Sequence, residues 1–254
     1  MMKDTRYIVL AFWLVVWVLG IRSLQAQDTP STATLASDDR SSTAAVEVLK
    51  QIEKRHGDFK TLVARFEQIR IQEEFGDEIR SEGRLYLKMP GSLRCEYESP
   101  EPSVLLFTDN TFYQYVPVIQ QVDKYRYNKT QGEQMFELLM LGFGVSSDSI
   151  LESYVVKRLD PEEKPRAVKE DVYGLSFRPL KENILRDYSR ILVWIAKDDL
   201  LPVYVRLLDS VGSETNVDIK QVEQDVPVST EIFQPDFSKG VDIIDHTESV
   251  QTGQ

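Results

Sequence analysis

This chain is poor in the residues on which most enzymes and metal proteins depend. Of its 254 residues one is cysteine, Cys95, and two are histidine, His56 and His246. A single thiol excludes an intrachain disulfide and a thiolate metal cluster. Two histidines leave little for a zinc site, a Ser-His-Asp triad or imidazole acid/base chemistry, so no catalytic residue, cofactor or metal ligand is expected. Basic side chains are scarce as well: 30 Lys and Arg face 41 Asp and Glu, a net charge of -11. That balance argues against nucleic acid as a partner and against a basic membrane-binding patch. What is present, 42% hydrophobic and 28% charged residues, is the composition of an ordinary globular protein of one or two domains. Function then rests on shape and apolar surface.

The amino terminus reads as a secretory signal over residues 1–26. Lys3 and Arg6 form a basic start, Ile8 to Ile21 an almost unbroken apolar run, and Ser23-Leu24-Gln25-Ala26 ends on a small residue. Cleavage after Ala26 is expected, with a membrane anchor as the alternative, although the run is short for a bilayer span. Residues 27–43, rich in Ser, Thr, Ala and Asp, read as a flexible leader, and 247–254 as a tail. Between them, 44–246 form one domain.

Within that domain Ser41-Ser42-Thr43 can cap a helix through Arg55, with Gly57 as its stop. The spacing then changes to alternation. Phe59 to Ile71, Glu78 to Lys88, Ser92 to Tyr97, Val104 to Thr108, Thr111 to Val116 and Gln121 to Tyr127 are short β-rich segments separated by turn residues. Leu85, Leu87 and Met89 share one parity, as do Leu93, Cys95 and Tyr97, while Arg84, Tyr86, Lys88, Arg94 and Glu96 take the other. One sheet face is therefore apolar and the other meets water. Glu133 to Phe143 interrupts the meander as an apolar helix closed by Gly142 and Gly144, and a helical turn begins at Ser146-Ser147-Asp148. Strands resume at Ser153 to Leu159, Tyr173 to Pro179, Asp187 to Ala196, Leu201 to Leu208 and Thr215 to Val222. A turn at Thr230 to Phe233 and an extended piece at Val241 to Ile244 follow. This is a mainly β domain of ten or eleven antiparallel strands, enough to curl into an unclosed barrel. By composition alone the apolar residues of the mid-chain helix read first as ordinary core, with a plug in the barrel mouth as the alternative.

Several local patterns bear on that choice. Phe66-Glu67-Gln68 closes the first strand, and Gly83-Arg84-Leu85-Tyr86-Leu87-Lys88-Met89-Pro90-Gly91 follows. Then come Leu93-Arg94-Cys95-Glu96-Tyr97, Ser99-Pro100, the Asp109-Asn110 turn with Phe112-Tyr113-Gln114-Tyr115, and Gln120-Gln121-Val122. Ile195, Leu200-Leu201-Pro202, Phe233 and Gly240-Val241-Asp242 complete the series. In order and spacing this resembles the LolA-type family of periplasmic outer-membrane lipoprotein carriers over about Val46 to Asp245.

The resemblance implies an unclosed antiparallel half-barrel with an N-terminal helix and a helical lid over a hydrophobic cavity for acyl chains. It implies no chemistry, a monomer in the periplasm, acylated lipoproteins as cargo, an inner-membrane ATP-driven complex that extracts them, and an outer-membrane acceptor. By position the cavity is assigned to Leu85, Leu87, Met89, Leu93, Cys95 and Tyr97, and the lid to Met135, Phe136, Leu138, Leu139, Met140 and Leu141. Leu93 falls at a functionally sensitive apolar position of the family. Met89 stands where many members carry an arginine that ties the lid shut, so an arginine-latched closed state is not expected here; apolar contact and another polar group are the alternatives for holding the lid. Arg94, on the opposite face from Leu93, is not expected to be that latch. A lipid-sensing regulatory module or a general lipid carrier on the same fold is the alternative; an enzyme acting on envelope lipid lacks a nameable nucleophile and base.

Cys95 is expected as a small buried hydrophobe and His56 as structural. His246 is placed in a polar tail, and Asp160 to Lys164 in a solvated loop. The aromatics Phe112, Tyr113, Tyr115, Tyr125 and Tyr127 are read as hairpin packing.

Overall fold

A computed structural model describes residues 40–72, 77–180, 188–237 and 240–246. The expected signal and the leader as far as residue 39 lie outside the described residues, as does the tail from 247. Residues 40–43 are not a loose leader end: Ser42 N–H donates to the Val156 carbonyl at 2.9 Å, and Ser41 Oγ accepts from Val156 N–H at 2.9 Å. This docks the chain entry onto a strand edge.

Helix α1 spans Thr43–His56, with the Ser42 side chain accepting from Ala45 N–H and Ala45, Val48, Leu49 and Ile52 on its buried face. The strands are β1 (Thr61–Ile71), β2 (Glu78–Lys88), β3 (Ser92–Ser99), β4 (Ser103–Thr108), β5 (Thr111–Val116) and β6 (Gln121–Arg126). Helices α2 (Lys129–Leu139) and α3 (Ser147–Ser153) intervene before β7 (Tyr154–Arg158), β8 (Val172–Pro179), β9 (Tyr188–Ala196), β10 (Pro202–Asp209), β11 (Glu214–Gln224) and β12 (Asp242–Asp245).

All twelve strands form one sheet in the order β12-β6-β5-β4-β3-β2-β1-β11-β10-β9-β8-β7. The β1–β6 meander and the β7–β11 meander are joined where β1 pairs with β11, and the sheet does not close, so a half-barrel results. Strand count and orientation differ from the sequence reading in one respect. The terminal extended piece is a twelfth strand, and it pairs in parallel with β6, from Asp242 opposite Gln121 to Asp245 opposite Lys124. Residues 225–241 connect β11, in the middle of the sheet, to this far edge.

That crossover runs over the outer face. Phe233 is buried, Arg94 Nη1 donates to the Ile232 carbonyl at 3.0 Å, and Phe237 lies 5.7 and 5.3 Å from the rings of Tyr113 and Tyr115. Tyr113 and Tyr115 are thus packed against this strap, whereas Phe112 and Tyr125 pair across the hairpin on the inner face at 6.3 Å. Arg94 is, as expected, on the outer side, and its Nε meets Glu96 Oε1 at 2.7 Å. The loop after β7 also covers apolar surface. Asp160 to Glu163 is exposed, but Val168 is buried with Leu159, Leu192, Trp194 and Tyr204.

The inner face carries two apolar clusters. One joins β1–β6 to α2 and includes Leu62, Leu87, Leu93, Phe107, Phe112, Tyr125 and Met135. The other packs α1 and α3 on β7–β9, with Leu49, Ile52, Ile150, Tyr154, Phe177 and Val193. Gly83 has no room for a side chain: a Cβ would stand 2.1 Å from the Glu96 carbonyl oxygen and 2.8 Å from Phe66. Its bareness lets Phe66 and Tyr97 meet edge to face at 5.2 Å.

Candidate functional site

Strand register sorts the inner face of β1–β6 into rows, because directly opposed residues share a face. The row beneath α2 is Leu62, Leu87, Leu93, Phe107, Phe112 and Tyr125, apolar throughout apart from one phenol. Two residues further along the strands lie Ala64, Leu85, Cys95, Leu105, Gln114 and Asp123. The next row holds Phe66, Gly83, Tyr97 and Ser103, and beyond it Gln68 faces Ser81. Polarity therefore rises with distance from the helix.

All six sequence-assigned cavity residues lie together in this cluster, but in two environments. Leu87 and Leu93 are wholly enclosed and Cys95 nearly so; Leu85, Met89 and Tyr97 are half-buried and pack against the cluster from its margin. Phe136, Leu138, Leu139, Val217, Ile219 and Val222 are other half-buried apolar side chains of that margin. Burial raises the Cys95 thiol far above its usual range, which keeps it a neutral, unreactive group. Tyr97 is likewise held neutral by burial, and its hydroxyl donates to Gln68 Oε1 at 3.1 Å.

The helix over these rows begins four residues earlier than its apolar run suggests. Asn128 Oδ1 accepts from Gln131 N–H at 2.9 Å, and Gln131 Oε1 accepts from Asn128 N–H at 3.2 Å, a capping box. The helix also ends earlier, at Leu139. Of the assigned lid residues, Met135 is buried, Phe136 stacks on Phe107 at 6.1 Å, and Leu138 and Leu139 are half-buried on α2. Met140 and Leu141 follow the last turn, and Leu141 packs into the α1 cluster rather than over the rows. Gly142 and Gly144 come next with φ of 90° and 92°. A Cβ on Gly144 would lie 2.6 Å from the His56 carbonyl oxygen, so this turn passes tightly against the end of α1.

Two carboxylates link the three helices. Glu137 on α2 is buried and accepts the Ser149 hydroxyl of α3. Glu53 on α1 accepts both the backbone N–H and the hydroxyl of Ser147, at 3.1 and 2.6 Å. Those bonds hold the Glu53 carboxyl below the ordinary glutamate range. Tyr154, fully enclosed, has its phenol pushed up by burial first and by the nearby Glu137 second.

Glu137, Gln114 and Asp123 were missed by the sequence reading, which found no carboxylate marked as buried. Each carried a signal: Glu137 is a lone charge between Phe136 and Leu138, and Gln114 and Asp123 occupy apolar parity. His246 is also misplaced by that reading. Rather than trailing in a polar tail, its ring stacks on Tyr125 at 4.6 Å and its Nε2 meets Asp123 Oδ1 at 2.7 Å, while Gln121 Nε2 donates to Asp123 Oδ2 at 2.7 Å. His56 is structural as expected, bridging Gln224 Oε1 and the Asp199 carbonyl at 2.9 and 2.7 Å.

No helix among the described residues is long and apolar enough to cross a membrane. Among solved structures, the fold is similar to a putative outer membrane lipoprotein-sorting protein domain from Vibrio parahaemolyticus (13% identity, TM-score 0.44, covering 75% of this chain and 96% of that one). It is also similar to an uncharacterised conserved protein from Thermus thermophilus (13% identity, TM-score 0.49, 80% and 99%). In sequence, an outer-membrane lipoprotein carrier protein of Legionella pneumophila (strain Lens) is 24% identical over 188 residues, which are 73% of this chain and 83% of its own. The family model described as outer membrane lipoprotein carrier protein LolA matches residues 57–236. The chain belongs to the LolA family of lipoprotein-binding carriers, which are periplasmic and carry rather than catalyse.

Proposed function

We propose that this protein carries the acyl chains of lipoproteins between the inner and the outer membrane, after export and removal of residues 1–26. The observation that carries the reading is the margin of half-buried apolar side chains around this cluster: Leu85, Met89 and Tyr97 on or beside the sheet, Phe136, Leu138 and Leu139 on the helix. A core built only for stability would enclose such residues, whereas a carrier keeps them ready for another molecule's apolar surface.

The energetics suit a carrier. Burying a methylene contributes about 0.8 kcal/mol, so a chain of roughly 14 methylenes gains on the order of 11 kcal/mol against water, before the entropy of binding is deducted. Spontaneous desorption from a membrane is then very slow. An ATP-driven complex in the inner membrane supplies the extraction, and an apolar groove in the carrier offsets most of the loss. Release requires an acceptor at the outer membrane with a still better apolar site. Unbranched Met89 and Met135 adapt to chains of varied shape.

Mass spectrometry of the protein purified from its own envelope tests this. Co-purified acylated lipoprotein is the expected result. Equal binding of a triacylated lipoprotein and its delipidated form by the purified protein would overturn the reading.

A further inference from the structure

The inner face is amphipathic along the strands. Away from the row under α2 the side chains change from apolar, with one phenol, to a polar belt: Gln114 and Asp123 stand two residues along the strands, about 7 Å, Tyr97 and Ser103 four, and Gln68 and Ser81 six, about 20 Å. All but Tyr97 are at least nine-tenths buried. Most of the belt's polar chemistry is already engaged: Tyr97 donates to Gln68, and both Asp123 oxygens are taken by Gln121 and His246.

Gln114 is the exception. It is 2% exposed, sits between Leu105 and Asp123 in its row, and its Oε1 is buried and meets no donor among the described residues. A buried acceptor left without a partner is costly, and natural proteins seldom keep one without a use. A plain apolar groove needs no such group, since leucine there would extend the Leu85–Leu105 row.

We propose that this belt is the head-group end of the acyl groove and that Gln114 Oε1 accepts the N–H of an acyl amide, the linkage by which an N-acylated lipoprotein carries its third chain. The inference rests on the acyl-carrier reading and adds to it an orientation, chains beneath α2 and linkage at the belt, and a preference for amide-linked over ester-linked acyl groups. Leu105 beside Gln114 packs the first carbons of the chain, and Asp123, the other neighbour of Gln114 in its row, is held in place by Gln121 and His246. An ester offers no donor, so it leaves Gln114 as unsatisfied as water-free burial does.

The test uses N-hexadecanoyl glycine methyl ester and the analogue in which its amide N–H is replaced by oxygen, with binding measured by calorimetry. The wild-type protein is expected to bind the amide about fivefold more tightly than the ester, and Gln114→Leu to bind the two alike. In wild-type protein labelled with nitrogen-15, the Gln114 side-chain signals should shift with the amide and not with the ester, a readout that stands even if the variant fails to fold. Equal wild-type affinities, or side-chain signals that respond alike to both, would overturn the Gln114 assignment and leave the carrier reading intact. Failure of the wild-type protein to bind either probe would overturn the carrier reading itself.

Discussion

The buried carboxylate of Glu137 on α2 accepts the hydroxyl of Ser149, on the helix that follows it. This bond ties α2 to α3, which Glu53 ties in turn to α1. A charge-assisted hydrogen bond in a dry setting is among the stronger single contacts available, yet it is local and reversible. Loss of it should free α2 without unfolding the sheet. In hydrogen-exchange measurements, Ser149→Ala is expected to raise exchange at the α2 amides several-fold while the β1, β2 and β9 amides stay protected. Unchanged α2 exchange would show that the Ser149 bond does not hold the helix.

Leu93 and Leu85 stand in neighbouring rows and should respond differently to change. Leu93 is 4% exposed, between Leu87 and Phe107, so Leu93→Ala leaves a cavity in a filled wall and is expected to cost about 2–5 kcal/mol of stability. Leu93→Glu places an unpaired charge there, and loss of fold should precede any loss of cargo. Leu85 is half-buried at the margin, where a carboxylate can reach water. Leu85→Glu should therefore keep most of the thermal stability and lose acyl binding. Thermal midpoints and lipopeptide affinities of the pair check this; the reverse pattern would place the groove at Leu93.

The contrast between these residues also marks what the sequence makes legible. Parity assigned Leu85, Leu87, Leu93, Cys95 and Tyr97 to one face, because the period of two is a property of each strand by itself. Which of them is a wall and which a margin depends on what packs above, and that is set by α2 and by β11, far away in sequence. The polar belt was hidden for a related reason. Gln114 and Gln68 lie on different hairpins, and only the continuous register across β1–β6 brings their rows into order. The start of α2 was displaced because the apolar run of 133–143 was weighted over the Asn128–Gln131 cap. The extended piece at Val241 to Ile244 is legible, but its parallel pairing with β6 is not, since Asp242-Ile243-Ile244-Asp245 carries no sign of direction.

Acid should loosen the α1–α3 junction before the sheet. The Glu53 carboxyl is held low, first by the Ser147 hydroxyl and then by its N–H. A carboxyl whose folded pKa is depressed contributes stability that is complete above its unfolded value, about 4.3, and is lost as pH falls through the lower folded value. In Glu53→Gln this dependence is absent. The difference in stability between wild type and Glu53→Gln is expected to be constant from pH 8 to 5 and to shrink steadily below pH 4. A gap that widened in acid would contradict the sign and remove Glu53 from the junction.

Cys95 offers a reporter for the groove that requires no added label site. It lies in the second row, next to Leu85 and Leu105, enclosed, with its thiol kept protonated by burial. A disulfide reagent at pH 8 must therefore wait for the rows to be uncovered, and its reaction with the native protein should be at least about a hundredfold slower than with the unfolded chain. If uncovering is the release of α2, Ser149→Ala should accelerate labelling while the thermal midpoint changes little, and a bound acyl amide should slow it by covering the row of Leu85 and Cys95. If instead labelling follows only global unfolding, it will track the midpoint across all variants and ignore the acyl probe at concentrations where the probe does not stabilise the fold. The two patterns separate a groove that opens from a core that merely melts.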